Sequence, residues 1–572
     1  MTISLPNTVS GLPSGPYKPR GGKLRPSQVI TTFGPGAVVD LPDESIMVAG
    51  IDTWPRGQRI QEPRLEKALG VEEFYAPSIK KSGGDLPCVR FPEYRICSNA
   101  GCNLFSRRKK CPECENDTYP ARLIVICPAG HADDFPWSWW VHRKGRCTGS
   151  QKLRLINQKR TAALADLVVK CETCKQSRTL SGALGPKALE DFTCSGKRPW
   201  LIGTTGENCS EKVRSVLRGA SNVYFSSTLS ALSIPPWSDP IQSALNDHWH
   251  TLRSLSEAVQ RAVIEDSPDF AGFRVENVMR AIRERLTGTV TMDSLQKDEF
   301  LAFRNPGSGI ATQDFQIKSE SVPAPFQSRI AQVVLASRLR EVCALQGFTR
   351  IDPPDTENND ANTSNQALVP IALTPQNWLP AIENRGEGIF IELTLNEVRA
   401  WEQTPAVQER IHRLNLAYAA WREQRGLSPA QALLPRVVMA HTLAHLLIRQ
   451  LSLECGYSSS SLRERIYAGN DMCGLLIYTA SADSDGSLGG LVQQGRRDRF
   501  NATMQALLES AQWCSSDPLC MEHDPHLTGK LNGAACHACS LVAETSCVLA
   551  NRFLDRALVF DLPGMSGTGY FA

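Results

Sequence analysis

The sequence predicts an α+β, multidomain protein. Three observations lead to this: cysteines gather in two clusters, β-branched runs alternate with Gly/Pro turns near the N-terminus, and helix-periodic stretches fill the middle. At 572 residues the chain is long enough for several hydrophobic cores. We therefore expect a small β-rich N-terminal unit, a zinc-ribbon-like Cys cluster, a helical middle, and an α/β C-terminal domain with a Cys-metal site.

The predicted boundaries follow changes in composition along the chain. Residues 1–24 form a flexible basic tail rich in Pro, Gly and Ser, and residues 25–85 form the β-rich unit with its Gly-Pro-Gly and Pro-Asp turns. Residues 86–215 are Cys-rich and need zinc to compensate for a thin core. A mainly helical region, 216–430, contains a linker at 352–366, and the metal-binding C-terminal domain occupies 431–572.

Apolar and charged residues recur at helical spacing in several segments. The stretches "IQSALNDHWHTLRSLSEAVQRAVIED", "VENVMRAIRERL" and "QSRIAQVVLASRLREVCAL" each predict helices. The segment "GIFIELTLNEVRAWE" predicts a strand followed by a helix, and "AVQERIHRLNLAYAAWREQRG" predicts an amphipathic helix that ends at glycine. In the last domain, "CGLLIYTAS" predicts a buried strand, "DSDGSLGGLV" a glycine-rich turn, and "RFNATMQALLESAQW" a helix.

The composition indicates a cytoplasmic protein. No uncharged apolar run is long enough to span a membrane, and the first residues lack the apolar region of a signal peptide. In a reducing compartment, 19 cysteines are more useful as metal ligands than as disulfides. We therefore expect bound Zn²⁺, at two to four sites, and take the isolated Cys343, Cys455 and Cys473 as small buried hydrophobic residues.

Three ligand sets are candidates in the first cluster. One has the spacing of a tetrahedral zinc ribbon, in which each pair supplies two thiolates from one turn: Cys97, Cys102, Cys111 and Cys114. A second has looser spacing: Cys171, Cys174, Cys194 and Cys209. A third, which could equally be packing or capping residues, lies between them: Cys127, His131, His142 and Cys147.

The C-terminal cluster holds five thiols, one more than tetrahedral zinc requires. The preferred set is Cys520, Cys536, Cys539 and Cys547, with Cys514 as the alternate. Haem attachment is excluded because it needs CxxCH, whereas His537 falls inside the Cys pair.

The stretch "MAHTLAHLLIRQLS" places His441 and His445 one helical turn apart, the spacing of a HExxH zinc-protease helix. Position 442 is threonine, which cannot act as the general base that the protease glutamate supplies. Because the run is apolar nearly all round, a buried helix is the preferred interpretation. A zinc-dependent hydrolase or nuclease that uses this helix with Glu464, or the Asp133/Asp134 pair, is the rival hypothesis.

A basic window at 105–160 has twelve Lys or Arg against five Asp or Glu, so it is a candidate polyanion surface. Tryptophans interleaved with basic residues suit base stacking beside phosphate contacts, although tryptophans that cover a thin zinc-stapled core are the alternative. The candidate DNA-binding residues are Arg107, Arg108, Lys109, Lys110, Arg143, Lys144, Arg146, Trp137, Trp139 and Trp140.

Motifs for nucleotide hydrolysis and covalent catalysis are absent from the sequence. There is no GxxxxGK[ST] phosphate loop and no G-x-S-x-G nucleophile elbow. Four-thiolate zinc sites have no open position for a substrate. The sequence therefore favours a scaffold over a catalyst.

Several motifs together resemble the DrmB family, a core subunit of the bacterial DISARM anti-phage system. They are "RPSQVITTFGPGAVVDLPDESIMVAGIDTW", "CPAGHADDFPW", "HTLAHLLIRQLSLECGYSSSSLRERIY" and the ending with "WCSSDPLC" and "NGAACHACSLVAETSC". The last 140 residues also resemble the C-terminal domain of MrfA-type DNA-repair helicases, where four cysteines bind a metal. That resemblance implies that Cys536, Cys539 and Cys547 are ligands, with the fourth open between Cys514 and Cys520.

The resemblance implies a partner, a DrmA-like superfamily 2 helicase that forms a heterodimer with this chain and supplies the ATPase activity. It also implies contact with DNA, namely phage DNA, and no association with a membrane. We expect a zinc-containing subunit that helps bind or load foreign DNA. A protein scaffold without DNA contact is the remaining alternative.

Overall fold

The structure is a computed structural model of the 572-residue chain. It describes the backbone of residues 2–4 and then residues 24–78, 85–143, 145, 147–158, 163–237, 239–287, 290–306, 312–354, 368–429, 431–479 and 489–572. Most of the linker predicted at 352–366, part of the basic tail and most of the turn "DSDGSLGGLV" lie outside the described residues.

Helices occur in three groups along the described chain. The N-terminal third contains α1 (Pro26–Thr31), α2 (Pro63–Leu69) and α3 (Trp137–His142). The middle contains α4 (Pro240–Leu252), α5 (Glu257–Asp266), α6 (Val275–Thr287) and α7 (Met292–Arg304). The last third contains α8 (Leu395–Glu402), α9 (Pro405–Glu423), α10 (Pro435–Cys455), α11 (Gly490–Gln494), α12 (Arg497–Ala511) and α13 (Pro525–Thr528).

Strands are short before residue 220 and long after it. The short ones are β1 (Thr2–Ser4), β2 (Val38–Asp40), β3 (Ser45–Val48), β4 (Arg56–Ile60), β5 (Glu73–Pro77), β6 (Asp85–Arg90), β7 (Arg95–Cys97), β8 (Phe105–Ser106), β9 (Thr118–Pro120), β10 (Leu123–Ile126), β11 (Ala132–Asp134), β12 (Leu153–Asn157), β13 (Leu167–Cys171), β14 (Ser177–Thr179) and β15 (Arg214–Leu217). The later ones are β16 (Phe225–Leu232), β17 (Phe315–Glu320), β18 (Ile330–Thr349), β19 (Trp378–Leu393), β20 (Leu462–Gly469) and β21 (Met472–Thr479).

Four small sheets build the N-terminal half of the described chain. Their strand orders are β1-β6-β3-β2, β8-β7-β9, β11-β10-β15 and β12-β13-β14. The last three lie within the Cys-rich segment and are antiparallel throughout. The predicted fold class is therefore confirmed, with small β-rich units next to the Cys clusters and helices in the middle.

One large sheet, in the order β16-β18-β19-β21-β20, organises the rest, and β17, β4 and β5 join it at its side. Its strands come from the segments predicted as 25–85, 216–430 and 431–572, so these segments share one sheet. The predicted domain boundaries stay a prediction, because this sheet crosses them.

The helix predicted over "QSRIAQVVLASRLREVCAL" is wrong, because this segment forms most of β18. β18 pairs with β19 on one side and with β16 and β17 on the other. Its side chains are buried on both faces of the sheet, which obscures the period-two pattern that normally identifies a strand. The segment 216–430 is consequently helical only in part.

The other helices and strands predicted in the middle and C-terminal segments are confirmed. Helices α4, α5 and α6 cover the periodic stretches of 240–287, β19 is followed by α8, and α9 covers the next amphipathic stretch. β21 and α12 form where the sequence predicts a buried strand and a helix.

Successive residues of β21 point to opposite faces of the large sheet, as strand geometry requires. Leu475 and Ile477 join the core that contains α10, whereas Leu476 and Tyr478 join the core that contains Phe300 of α7. The sheet is therefore covered by α10 on one face and α7 on the other. None of the helices in the described part of the chain combines the length and apolar character that a membrane crossing requires.

Candidate metal centres and a basic cleft

The first centre stands at the end of β7 and holds Cys97, Cys102, Cys111 and Cys114. Cys97 Sγ lies 3.4 Å from Cys114 Sγ, and Cys102 Sγ lies 3.6 Å from Cys111 Sγ. Four thiolates around a tetrahedral zinc at about 2.3 Å are about 3.8 Å apart, so these separations suit Zn²⁺. The structure brings together the four cysteines that the sequence spacing groups.

A second centre combines Cys127, His131, Cys194 and Cys209. His131 Nδ1 lies 3.3 Å from Cys127 Sγ and 3.6 Å from Cys194 Sγ. The other ring nitrogen, Nε2, lies 2.7 Å from Glu207 Oε1, the outer contact that fixes the orientation of a metal-binding histidine.

The grouping differs from the prediction, which placed Cys194 and Cys209 with Cys171. The Ala132 N–H donates to the Lys197 carbonyl oxygen and brings the turn of Cys127 and His131 against the Cys194 loop. This long-range contact has no signature in local spacing.

The third centre holds His142, Cys147, Cys171 and Cys174. It joins two residues from each of the second and third predicted ligand sets. The pairing of β12 with β13 sets Leu153 opposite Cys171, so the chain just after Cys147 runs beside the CxxC turn. Cys147 Sγ lies 3.9 Å from Cys171 Sγ. His142 Nδ1 donates to the Ser138 carbonyl oxygen, and its buried Nε2 has no hydrogen-bond partner. A metal ion among the thiols would satisfy that nitrogen.

The fourth centre is C-terminal and holds Cys514, Cys520, Cys536 and Cys539. Cys514 Sγ lies 3.4 Å from Cys536 Sγ, and Cys520 Sγ lies 3.7 Å from Cys539 Sγ. Cys514 and Cys520, between which the prediction left the fourth ligand open, are thus both present.

Cys547, a preferred ligand in the prediction, is elsewhere. The short 3₁₀ turn Glu544–Ser546 precedes it, and Ser546 Oγ donates to the Ser459 carbonyl oxygen. This contact carries Cys547 towards His441, His445 and Glu464, with which it forms a fifth group.

Hydrogen bonds to sulfur favour the thiolate form in three of the centres. The side-chain and backbone N–H groups of Asn116 lower the pKa of Cys114 to about 6. Burial alone would raise the pKa of Cys171, but hydrogen bonds from the backbone N–H groups of Cys174 and Thr173 lower it to about 6. A hydrogen bond from the Cys520 thiol lowers the pKa of Cys539 to about 5.

Two of the three tryptophans proposed for base stacking are in the protein core. Trp137 and Trp140 are 2% and 1% exposed and pack against Phe135. Their rings close the core of the Cys-rich segment, so they present no free face to a base. Trp139 is half-buried and packs edge-on against Phe192.

The basic residues 107–110 lie on the loop of the first centre, between β8 and β9. Arg107 pairs with Glu93 at 3.3 Å, and Lys110 pairs with Asp117 at 2.9 Å. Arg108 is exposed and Lys109 is half-buried. Lys144 and Arg146 lie outside the described residues. Two of these four basic residues are therefore partly neutralised by neighbouring acids.

A basic cleft lies beside the third centre, lined by Val141, His142, Arg143, Gly145, Gln176 and Arg178. The guanidinium carbons of Arg178 and Arg143 lie 4.0 and 5.4 Å from the centre of the Trp140 ring. Burial and the nearby Arg143 charge lower the pKa of Arg178, which marks an electropositive position. Sequence reasoning missed Arg178, although it follows directly in "CETCKQSR".

Comparison with known proteins gives two matching families. A domain of unknown function (DUF8724) matches residues 25–225, and the MrfA Zn-binding domain matches residues 443–540. The DISARM protein DrmB of Bacillus paralicheniformis (strain ATCC 9945a / NCIMB 11709 / CD-2) is 36% identical over 555 residues, which cover 91% of this chain and 97% of the relative.

Among solved structures, the crystal structure of the DUF1998 helicase MrfA bound to DNA is similar to a part of the chain. The likeness covers 42% of this chain and 24% of that chain, at 11% identity and a TM-score of 0.18. The matching zinc-binding family and the sulfur and nitrogen geometry of the Cys groups agree that the protein has multiple zinc sites.

Proposed function

The chain belongs to the DrmB family of DISARM proteins, and from this membership we propose that it is a zinc-containing, non-catalytic subunit that holds foreign DNA for a helicase-like partner. The similarity extends over nearly the whole of both chains, so it includes the Cys-rich segment and the C-terminal domain together. In this proposal the zinc centres are structural, because thiolate and imidazole groups fill their ligand positions.

The basic cleft carries the DNA part of the proposal. Arg143 and Arg178 form no ion pair with an acid among the described residues, whereas Arg154, in the same sheet as Arg178, pairs with Glu113 and Glu172. A guanidinium group offers a planar fork of N–H donors that matches a phosphate. Two such groups against one indole ring form a preorganised site for consecutive phosphates of a DNA strand.

The third zinc centre supports the rigidity of this cleft. His142 is both a member of that centre and a wall of the cleft, and Arg178 follows Cys174 by four residues. Arg143 Nη2 donates to the Ala188 carbonyl oxygen, which anchors one of the two guanidinium groups. Zinc binding therefore fixes the spacing of the two arginines.

The family resemblance supports a helicase partner, and so does the absence of a phosphate loop from the sequence, because ATP hydrolysis would then come from another chain. We propose that it binds next to the fourth centre. Trp513, Leu519 and Leu527 are 67%, 82% and 82% exposed there, and exposed large apolar side chains of this kind are typical of protein interfaces.

A hydrolytic function of the His441 helix receives no support from its position. His441, His445 and Glu464 are at most 1% exposed, so a substrate has no access to them. The Asp133/Asp134 pair also has structural contacts: Asp133 pairs with Lys197 at 3.0 Å, and Asp134 accepts the backbone N–H groups of Glu93 and Tyr94.

Crosslinking of the assembled complex to DNA, with the adducts mapped on this chain, tests the proposal. We expect adducts within 137–178, and we expect them to be lost in an Arg143→Ala/Arg178→Ala variant. Arg283→Ala is the matched control, because Arg283 is exposed on α6 and paired with Glu257 at 2.8 Å. Adducts confined to the partner chain would instead identify this protein as a scaffold without DNA contact.

A further inference from the structure

The fifth group is separate from the other four centres and lies inside the C-terminal core. Its members are His441 and His445 on α10, Glu464 on β20, and Cys547, which directly follows the 3₁₀ turn Glu544–Ser546. The two histidines are fully buried and Glu464 is 1% exposed. The matched zinc-binding family spans residues 443–540, so His441 and Cys547 fall outside it.

The four ligand atoms converge on one point. His441 Nε2 lies 3.2 Å from Cys547 Sγ and 3.2 Å from Glu464 Oε1. His445 Nε2 lies 3.5 Å from the same carboxylate oxygen. Zinc bound tetrahedrally by nitrogen and oxygen at about 2.1 Å and by sulfur at about 2.3 Å would separate these atoms by about 3.3–3.6 Å.

The hydrogen bond made by His445 leaves the lone pair that a metal would need free on its other ring nitrogen. His445 Nδ1 faces the Ser540 carbonyl oxygen at 2.8 Å and must donate to it, so Nε2 carries no proton in the neutral ring. This buried Nε2 and Glu464 Oε2 have no hydrogen-bond partner in the structure. A buried polar atom needs a partner, and a cation at the point of convergence provides one for His445 Nε2.

The backbone supports the anionic ligands. Cys547 Sγ accepts the N–H groups of Leu549 at 3.4 Å and Asn551 at 3.2 Å, and Glu464 Oε1 accepts the Val548 N–H at 3.1 Å. One thiolate, one carboxylate and two neutral imidazoles balance the charge of a divalent cation. The occupied group is therefore neutral, which removes the cost of a buried charge.

We propose that His441, His445, Glu464 and Cys547 bind one further divalent transition-metal ion, Zn²⁺, in a closed structural site. Four protein ligands fill the tetrahedral shell, so no position remains for a water molecule or a substrate. The ion joins α10, β20 and the chain after Ser546, and its role is to fix the C-terminal segment to the large sheet. The alternative is a metal-free hydrogen-bonded cluster.

Zinc content of the purified full-length chain, measured after dialysis against metal-free buffer, tests the proposal. We expect five zinc ions per chain, one for each of the five groups, and four in both the His441→Ala and the Cys547→Ser variant. His445→Cys, which exchanges one zinc ligand for another, should keep five.

The matched control is Thr442→Val, which changes a fully buried position between the two histidines without removing a ligand. It should also keep five zinc ions. If a ligand variant does not fold, the zinc content of the unchanged protein tests the proposal by itself. Five ions per chain support the site, and four or fewer overturn it. Equal zinc content in the unchanged protein and in soluble His441→Ala and Cys547→Ser variants also overturns it.

Discussion

His445 donates its Nδ1–H to the Ser540 carbonyl oxygen over 2.8 Å, and this contact links α10 to the fourth zinc centre. Ser540 directly follows Cys539, and its Oγ lies 3.3 Å from Cys539 Sγ. Because α10 is the central helix of the largest core, the order of the zinc centre and the packing of that helix depend on each other.

Replacement of Cys539 by serine is therefore expected to loosen α10 as well as the zinc loop itself. Loss of the zinc removes the constraint on residues 514–540, and with it the fixed acceptor for His445. Hydrogen exchange should become faster over residues 435–455 and 514–560. Cys102→Ser, in the first centre, is the control and should accelerate exchange only near residues 95–120. Unchanged exchange of α10 in Cys539→Ser would show that the contact is not coupled to the zinc.

The buried tryptophans predict a loss of stability on substitution. Trp140 is 1% exposed and packs against Phe135, so Trp140→Ala should lower the free energy of unfolding by about 3–5 kcal/mol. Trp139→Ala, at a half-buried position, should cost clearly less. Denaturant unfolding measures both. Equal small effects for the two variants would contradict the core position of Trp140.

The sequence predicted best what depends on neighbours along the chain. The first centre consists of two cysteine pairs, Cys97/Cys102 and Cys111/Cys114, that one short loop separates, so their spacing alone identifies it. Cys127 and Cys194 meet only because β11 is hydrogen-bonded to the Lys197 loop, a contact that spacing does not encode. The sheet position of β18 was hidden for a related reason, because burial on both faces removed the alternation expected for a strand.

The partners of His441 and His445 were also only partly visible. The helical spacing identified the two histidines, and the missing glutamate at 442 argued against a protease. Glu464 reaches them through the register of β20 with β21, and Cys547 through the contact of Ser546 with Ser459. Tertiary contacts therefore decide which thiols belong to which group.

Glu66 makes stability depend on pH. It lies on α2, and burial raises its pKa from 4.5 to about 7, although Arg285 at 3.8 Å opposes the shift. The folded state keeps this proton as the pH rises from about 4.5 to 7, whereas the unfolded state releases it. The contribution of Glu66 to the free energy of unfolding must therefore fall over that range, by up to about 1.4 kcal/mol per pH unit.

Glu66→Gln should flatten this part of the pH profile of the free energy of unfolding. Compared with the unchanged protein, the variant should therefore gain stability at pH 8 relative to pH 5. The profile is measured by chemical denaturation between pH 5 and pH 8. Glu257→Gln, at an exposed residue paired with Arg283, serves as the control and should leave the slope unchanged. An unchanged slope in Glu66→Gln would mean that Glu66 is ionised in the folded protein throughout.

The basic cleft predicts how DNA affinity responds to salt. If Arg178 contacts one phosphate, Arg178→Ala should weaken binding of the complex at low salt and reduce the slope of log affinity against log salt concentration by about 1. Arg143→Ala should act in the same direction, and the double variant should reduce the slope by about 2. The measurement is a binding titration with single- and double-stranded DNA at several salt concentrations. Arg283→Ala, which removes the same charge from a paired position on α6, should leave the slope unchanged. An equal loss of slope in all three single variants would indicate a response to net charge alone, and the cleft would then not be the DNA-binding surface.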